Sequence, residues 1–390
     1  MKSDDNFENE LIELEKKGLK RSLSDRNQLN TLNLSSNDYL GLSEDPFVKE
    51  RAAKAVQDYG TGGTSSRLLA GTSSLHRELE VKLATFFSKE AALVFSSGYH
   101  VNTGVLPVLA GAGDIIFVDR LCHASILDGI KLSDARFATF DHNNLEDLSW
   151  LLTERRAKYR RAWVVTEGIF SMDGDCPPLQ KLIELAHQHD ALVYLDEAHS
   201  IGIYGPEGKG WAASQKLLDS VDVFVGTLSK SLASQGGFVV SSRPLIEILI
   251  SRCRSFIYTT ALAPASAGAA LGALERLPAL DDRRKLLMDW SSDLRSELKT
   301  LGFSTGPSQS QIVPVLTGDV ISTQKLSAHL LSHGFFVPSI RPPTVPVGEG
   351  RVRLSLTVKV AEKAKCGLIQ AFASFAERPQ GKPEKIGQKS

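Results

Sequence analysis

Lys230 closes the run DVFVGTLSK (222–230), which holds no other charge past its opening Asp222. A lysine leaving such a run is poorly solvated, which lowers its pKa and makes the amine nucleophilic. The plain alternative is a solvated loop lysine. Gly236 and Gly237, shortly after it, imply tight backbone packing and count against that alternative. A second apolar run, ALVYLDEAH (191–199), closes on Asp196, Glu197, Ala198 and His199. A carboxylate at the end of a buried strand needs a partner, because an isolated charge there is costly. The bland reading of this segment is a capping Asp beside a satisfied core histidine. Ser96, Ser97, Gly98 and Tyr99 follow a third run and open a helix. Glycine there lets backbone N–H groups approach a phosphate, although a Ser-Gly turn also serves as a plain cap. His123, in DRLCHAS, follows a fourth run and suits a core position, a cap or a ring stacked on a ligand. Together these residues offer an amine nucleophile, an acid, two histidines and an anion cradle.

The elements that must position them alternate between helix and strand. Leu75, Leu79, Leu83 and Phe86 mark one amphipathic helix, and Leu179, Leu182, Ile183 and Ala186 mark another. Among them lie ALVFSSG (92–98), DIIFVDR (114–120), AWVVTEG (162–168), ALVYLDEAH, the run into Lys230, and GGFVVSS (236–242). These segments are apolar on both faces, as strands covered by helices on both sides are. The spacing predicts an α/β fold with a mainly parallel sheet, and ligands of such sheets bind beyond the carboxyl ends of the strands. Past Pro278 a helical stretch near 282–300 precedes QIVPVLTG, FFVPSIRPPTVP, RVRLSLTV and a last helix with Leu368, Phe372 and Phe375. That pattern predicts a small α+β domain. The expected organisation is an arm over 1–45, a large domain over 46–278, a small domain over 279–377 and a disordered tail over 378–390. The tail has almost nothing to bury.

Composition narrows the function classes. The 390 residues are 42% apolar and 23% charged, with 45 basic and 45 acidic side chains. A net charge of zero gives no long-range field for nucleic acid or anionic lipid. Cys122, Cys176, Cys253 and Cys366 lie far apart and form no metal or disulfide framework. His187 and His189 sit two apart on a helix and face different ways, so no metal site is expected. The acidic N-terminus lacks a signal peptide's apolar core, and no run is long enough to span a bilayer, so the cytoplasm is expected.

Eight segments, in order, resemble the α-oxoamine synthase family of fold-type I pyridoxal-phosphate enzymes. They are NLSSNDYLGL, GTGGTSSRLLAGTSSLHRELE, FSSGYHVN, DRLCHASILDG, TEGIFSMDGD, LDEAHSIGIYGPEGKG, GTLSKSLASQGGFV and IRPPTVPVGEGRVRLSL. The resemblance spans about Gly18 to Phe375. It departs at Ala233, where many relatives carry glycine. It implies decarboxylative condensation of an amino acid with an acyl thioester. The stretch Ile340–Pro346 followed by Arg351 and Arg353 resembles the branch that joins L-alanine to a pimeloyl thioester, carried on coenzyme A or a carrier protein. Serine palmitoyltransferase and 2-amino-3-oxobutyrate CoA ligase are the sister alternatives.

The resemblance also implies roles. Lys230 is the Schiff-base lysine, Asp196 pairs with the ring nitrogen of pyridoxal 5'-phosphate, and His199 bonds the ring oxygen with Ser171 nearby. His123 stacks on the ring. The amides of Gly98 and Tyr99 and the hydroxyl of Thr227 hold the phosphate, while Thr259 and Thr260 reach the partner's phosphate in a homodimer. Arg353 clamps the amino-acid carboxylate with help from Asn37, and Arg21, Thr344 and Arg341 meet the acyl substrate. A non-catalytic subunit of this fold would lose the lysine. A dehydrogenase would want G-x-G-x-x-G after its first strand, which FSSGYHVN does not supply.

Overall fold

A computed structural model describes residues 3–21, 23 and 31–377. The predicted disordered tail, 378–390, lies outside the described residues. The larger of two compact units, Asn37–Leu287, is built on a seven-stranded sheet. Its strands are β1 (Ala91–Phe95), β2 (Ile115–Asp119), β3 (Arg136–Phe140), β4 (Ala162–Glu167), β5 (Leu192–Asp196), β6 (Val223–Thr227) and β7 (Gly237–Ser241). Their spatial order is β1-β7-β6-β5-β4-β2-β3. Every neighbouring pair from β6 through to β3 is parallel, and only β7, between β1 and β6, runs antiparallel to its neighbours. All residues of β1, β2, β4, β6 and β7 are buried, as the continuous apolar runs required. The strand β3 was not foreseen. It is an edge strand with Arg136, Phe137 and Thr139 exposed, so its sequence carries no apolar run. Both amphipathic helices form, as Ser74–Phe86 and Leu179–Gln188, with all eight marked positions buried.

The smaller unit joins Met1–Ser36 to Met288–Ser390. A three-stranded antiparallel sheet places Gly350–Ser355 between Ser339–Ile340 and Ile312–Gly318. Leu32–Asn33 pairs in parallel with Phe335–Phe336, which ties that segment to this unit. The divisions fall at 36/37 and 287/288, where the sequence predicted 45/46 and 278/279. Tyr39, Leu40 and Leu42 are fully buried in the larger unit. Helix Asp281–Thr300 also starts there, with Arg283 Nη1 donating to Leu40 O at 2.8 Å and Arg284 Nη1 to Leu277 O at 2.9 Å.

Candidate active site

The parallel strands β2, β4, β5 and β6 end at Asp119, Glu167, Asp196 and Thr227, and the antiparallel β7 begins at the same edge. After β1, Ser97 caps helix α1 (Gly98–Leu109), its hydroxyl accepting the His100 N–H at 3.1 Å. A Cβ on Gly98 would lie 3.3 Å from Thr227 Oγ1, and one on Gly237 would lie 2.6 Å from Gly98 Cα. Glycine at both positions therefore lets the N-terminus of α1 close against the ends of β6 and β7. Thr227 Oγ1 donates to Gly236 O at 2.9 Å and lies 2.7 Å from Ser229 Oγ. Helix amides and two hydroxyls thus converge as a cradle for an anion.

Next to the cradle is a cavity of about 250 Å³. Lys230, Asp196, His199 and His123 all line it, with Gly98, Tyr99 and Thr227. Asp196 is buried; its Oδ1 accepts the Ala198 N–H at 3.0 Å and its Oδ2 the Asn102 amide at 2.8 Å. Alternation along the chain sends Glu197 elsewhere. Its carboxylate accepts the amides of Trp211 at 2.8 Å and Ala212 at 2.7 Å, and burial, against the pull of those amides, pushes it up to about 8. His199 Nδ1 lies 2.6 Å from the Tyr39 hydroxyl, which donates to Asn37 Oδ1 at 3.2 Å. The expected residue Asn37 is thereby linked to His199.

Sequence reasoning missed five of the site's polar residues: Asn102, Ser125, Glu167, Tyr194 and Tyr39. A polar residue inside an otherwise apolar run was the available signal for Tyr194. Glu167 accepts the His123 N–H and faces Asp196 across paired strands. Burial, reinforced by Asp196, pushes its carboxyl well above the ordinary range. Desolvation lowers His123 and outweighs the opposing field of Asp196. Behind this wall His142 bridges two carboxylates, Nδ1 to Asp119 at 2.9 Å and Nε2 to Asp175 at 2.8 Å. Burial alone would depress it, but the two aspartates prevail and raise it to about 10.

The other expected residues are not among those that line this cavity. Ser171 is half-buried in the turn after β4 and does not line the cavity. Thr260 is exposed and forms an isolated bridge with Ser66, with Thr259 beside it. Within the smaller unit, Arg21 Nη2 donates to Thr344 Oγ1 at 2.8 Å, bringing two predicted acyl contacts together, and Arg341 Nη2 donates to Lys20 O at 2.9 Å. Arg351 and Arg353 are 3% and 9% exposed on the central strand, so neither is a solvated edge charge. Arg351 is held by Glu349, donating to its carbonyl at 3.0 Å and its carboxylate at 3.2 Å. Ala233 has φ 49°, a left-handed conformation that favours glycine.

Residues 30–365 match the family described as aminotransferase class I and II. The chain belongs to that family. It is a pyridoxal-phosphate-dependent transferase on the fold the sequence predicted. It is 42% identical over 367 residues to the 8-amino-7-oxononanoate synthase of Symbiobacterium thermophilum, covering 94% of this chain and 92% of the relative. The synthase of the same name from Geobacter sulfurreducens is 44% identical over 345 residues, covering 88% and 87%. A lysine-to-alanine variant of a serine palmitoyltransferase from S. paucimobilis, solved with a bound PLP–myriocin aldimine, superposes with a TM-score of 0.89 at 33% identity, covering 95% of this chain and 96% of that one. Among the described residues no helix is long and apolar enough to cross a membrane.

Proposed function

We propose that the chain condenses L-alanine with a pimeloyl thioester to give 8-amino-7-oxononanoate, a step of biotin biosynthesis. The observation that carries the reading is the convergence of Lys230, Asp196, His199 and His123 on one cavity beside an anion cradle, in a chain with relatives of that name at 42% and 44% identity. The residues present fit pyridoxal phosphate. The α1 N-terminus, closed by two glycines that a Cβ would block, suits its phosphate. Asp196, oriented by two donors, suits its ring nitrogen, and Lys230 suits its aldehyde. When bound, the cofactor supplies an electron sink for a carbanion at the Cα of the amino acid.

The chain's residues do the rest. Asp196 keeps a proton on the ring nitrogen by ion pairing. His199, braced by Tyr39, donates or accepts at the ring oxygen, and His123 covers the ring face. The Lys230 amine, once free, takes the Cα proton as a general base. Alanine Cα then bonds to the thioester carbonyl carbon, the C–S bond breaks, and the thiol departs with a proton. The alanine carboxylate leaves as carbon dioxide and a proton returns to Cα. Arg353 holds that carboxylate until it leaves, with Asn37, through a two-pronged pair. Arg21, Thr344 and Arg341 meet the acyl chain, delivered on coenzyme A or a carrier protein. Ser171 assists His199.

The working form on this reading is a cytoplasmic homodimer in which Thr260 serves the partner's phosphate. Support comes from the exposed apolar side chains Leu69 and Tyr258 around the Ser66–Thr260 bridge, 81% and 72% exposed in the single chain. The deciding experiment pairs alanine, glycine and serine with pimeloyl and palmitoyl thioesters. Alanine with the pimeloyl thioester should turn over fastest. Preference for serine with palmitoyl would move the chain to the palmitoyltransferase activity of its structural relative.

A further inference from the structure

One polar chain in the cavity wall has hydrogen bonds whose directions can all be assigned. The Ser125 backbone N–H lies 3.2 Å from His123 Nδ1 and can only donate, so Nδ1 accepts. Ser125 Oγ lies 2.8 Å from the same nitrogen, and its proton must therefore point there too. That leaves Oγ to accept from Asn102 Nδ2 at 2.9 Å. The same amide nitrogen donates to Asp196 Oδ2 at 2.8 Å, while Tyr194 donates its hydroxyl to Asn102 Oδ1 at 2.5 Å. A flipped amide would set its oxygen against a carboxylate and its NH2 against the Tyr194 O–H, so this orientation alone satisfies every partner. Asn102, Tyr194, Ser125 and Asp196 are all buried, and burial makes an unsatisfied alternative costly.

We propose that Asn102 is a positioning residue: through Ser125 it holds His123 as the neutral imidazole with its proton on Nε2, and through the same amide it fixes Asp196. The two groups that would meet the face and the nitrogen edge of the cofactor ring are thus oriented by one side chain on α1. Nε2 becomes a donor, suited to a carboxylate or thioester carbonyl oxygen, and His123 is not a base in this arrangement. The lowering of the His123 pKa by desolvation acts in the same direction. The consequence for catalysis rests on the proposed reaction; the tautomer does not.

The test uses the full-length chain freed of cofactor and diethyl pyrocarbonate, which carbethoxylates an unprotonated imidazole nitrogen. The rate at His123 is followed against pH by peptide mass mapping. Ser125→Ala removes one of two donors to Nδ1, so the midpoint should move up in pH and the high-pH plateau rate should rise roughly fivefold, the worth of one hydrogen bond. Ser125→Thr keeps the hydroxyl and should titrate as the parent does. Asn102→Asp diverts the Ser125 hydroxyl and adds a nearby charge, so its midpoint should also rise. Asn102→Ser serves if that variant fails to fold. A Ser125→Ala protein matching the parent, a Ser125→Thr protein matching Ser125→Ala, or Asn102 variants matching the parent would each overturn the proposal. Failure of the alanine condensation would leave these titrations untouched.

Discussion

Replacing His142 with glutamine tests the clamp behind the active site. His142 has an ordinary pKa of 6.5 that two buried aspartates raise to about 10, and its side chain is 14% exposed. A folded-state pKa above the unfolded value adds stability that is complete below pH 6.5 and fades as pH rises through 10. A shift of about 3.5 units at 1.36 kcal/mol each is about 5 kcal/mol at low pH. By linkage about 4 kcal/mol of it remains at pH 7 and about 0.4 kcal/mol at pH 10. His142→Gln keeps one amide donor but leaves Asp119 and Asp175 without a cation, a loss of about 3–5 kcal/mol near neutrality. Denaturant unfolding of parent and variant at pH 7 and pH 10 measures the gap. It should shrink by about 3.5 kcal/mol on that rise, because other groups titrate equally in both proteins. Parallel stabilities across the range would refute a protonated His142.

Borohydride reduction should fix the cofactor to the peptide containing Lys230 in the parent and to none in Lys230→Ala, read by mass mapping. Asp196→Asn should lower kcat by at least about a hundredfold while cofactor affinity, titrated by fluorescence, moves far less, since the ion pair matters most as charge enters the ring. Arg353→Lys should weaken the response to L-alanine in a spectral titration, and Arg351→Lys, whose guanidinium is held by Glu349, should leave it near the parent's. Mixing Lys230→Ala subunits with Thr260→Ala subunits should restore activity if each site draws on both chains; a stable, active monomer in sedimentation would remove that shared site.

Residues whose place follows from a strand end could be read from the chain: Lys230, Asp196, His199, His123 and Gly98 each close or follow an apolar run, and all line the cavity. The residues that brace them could not. Tyr39 meets His199 across 160 positions and Tyr194 meets Asn102 across 92, and such pairings exist only once the sheet order is known. The edge strand β3 was hidden for a related reason, since a strand with one wet face carries little apolar signal. The reversal of β7 was equally invisible, because an apolar run looks the same read in either direction.

That reversal has a consequence for how the protein is made. Gly237 of β7 pairs with both Phe95 of β1 and Thr227 of β6, so the anion cradle has one wall from early in the chain and another from far later. A nascent chain that has emerged only as far as β6 can pair β2 through β6, yet β1 has no neighbour until β7 arrives to join it. Closure across so long a loop is slow compared with local helix formation. Until then β1 offers an unpaired edge of buried-type residues, the kind of surface that chaperones hold and that aggregates form on. The two walls of the anion cradle are therefore joined only when residues 237–241 arrive.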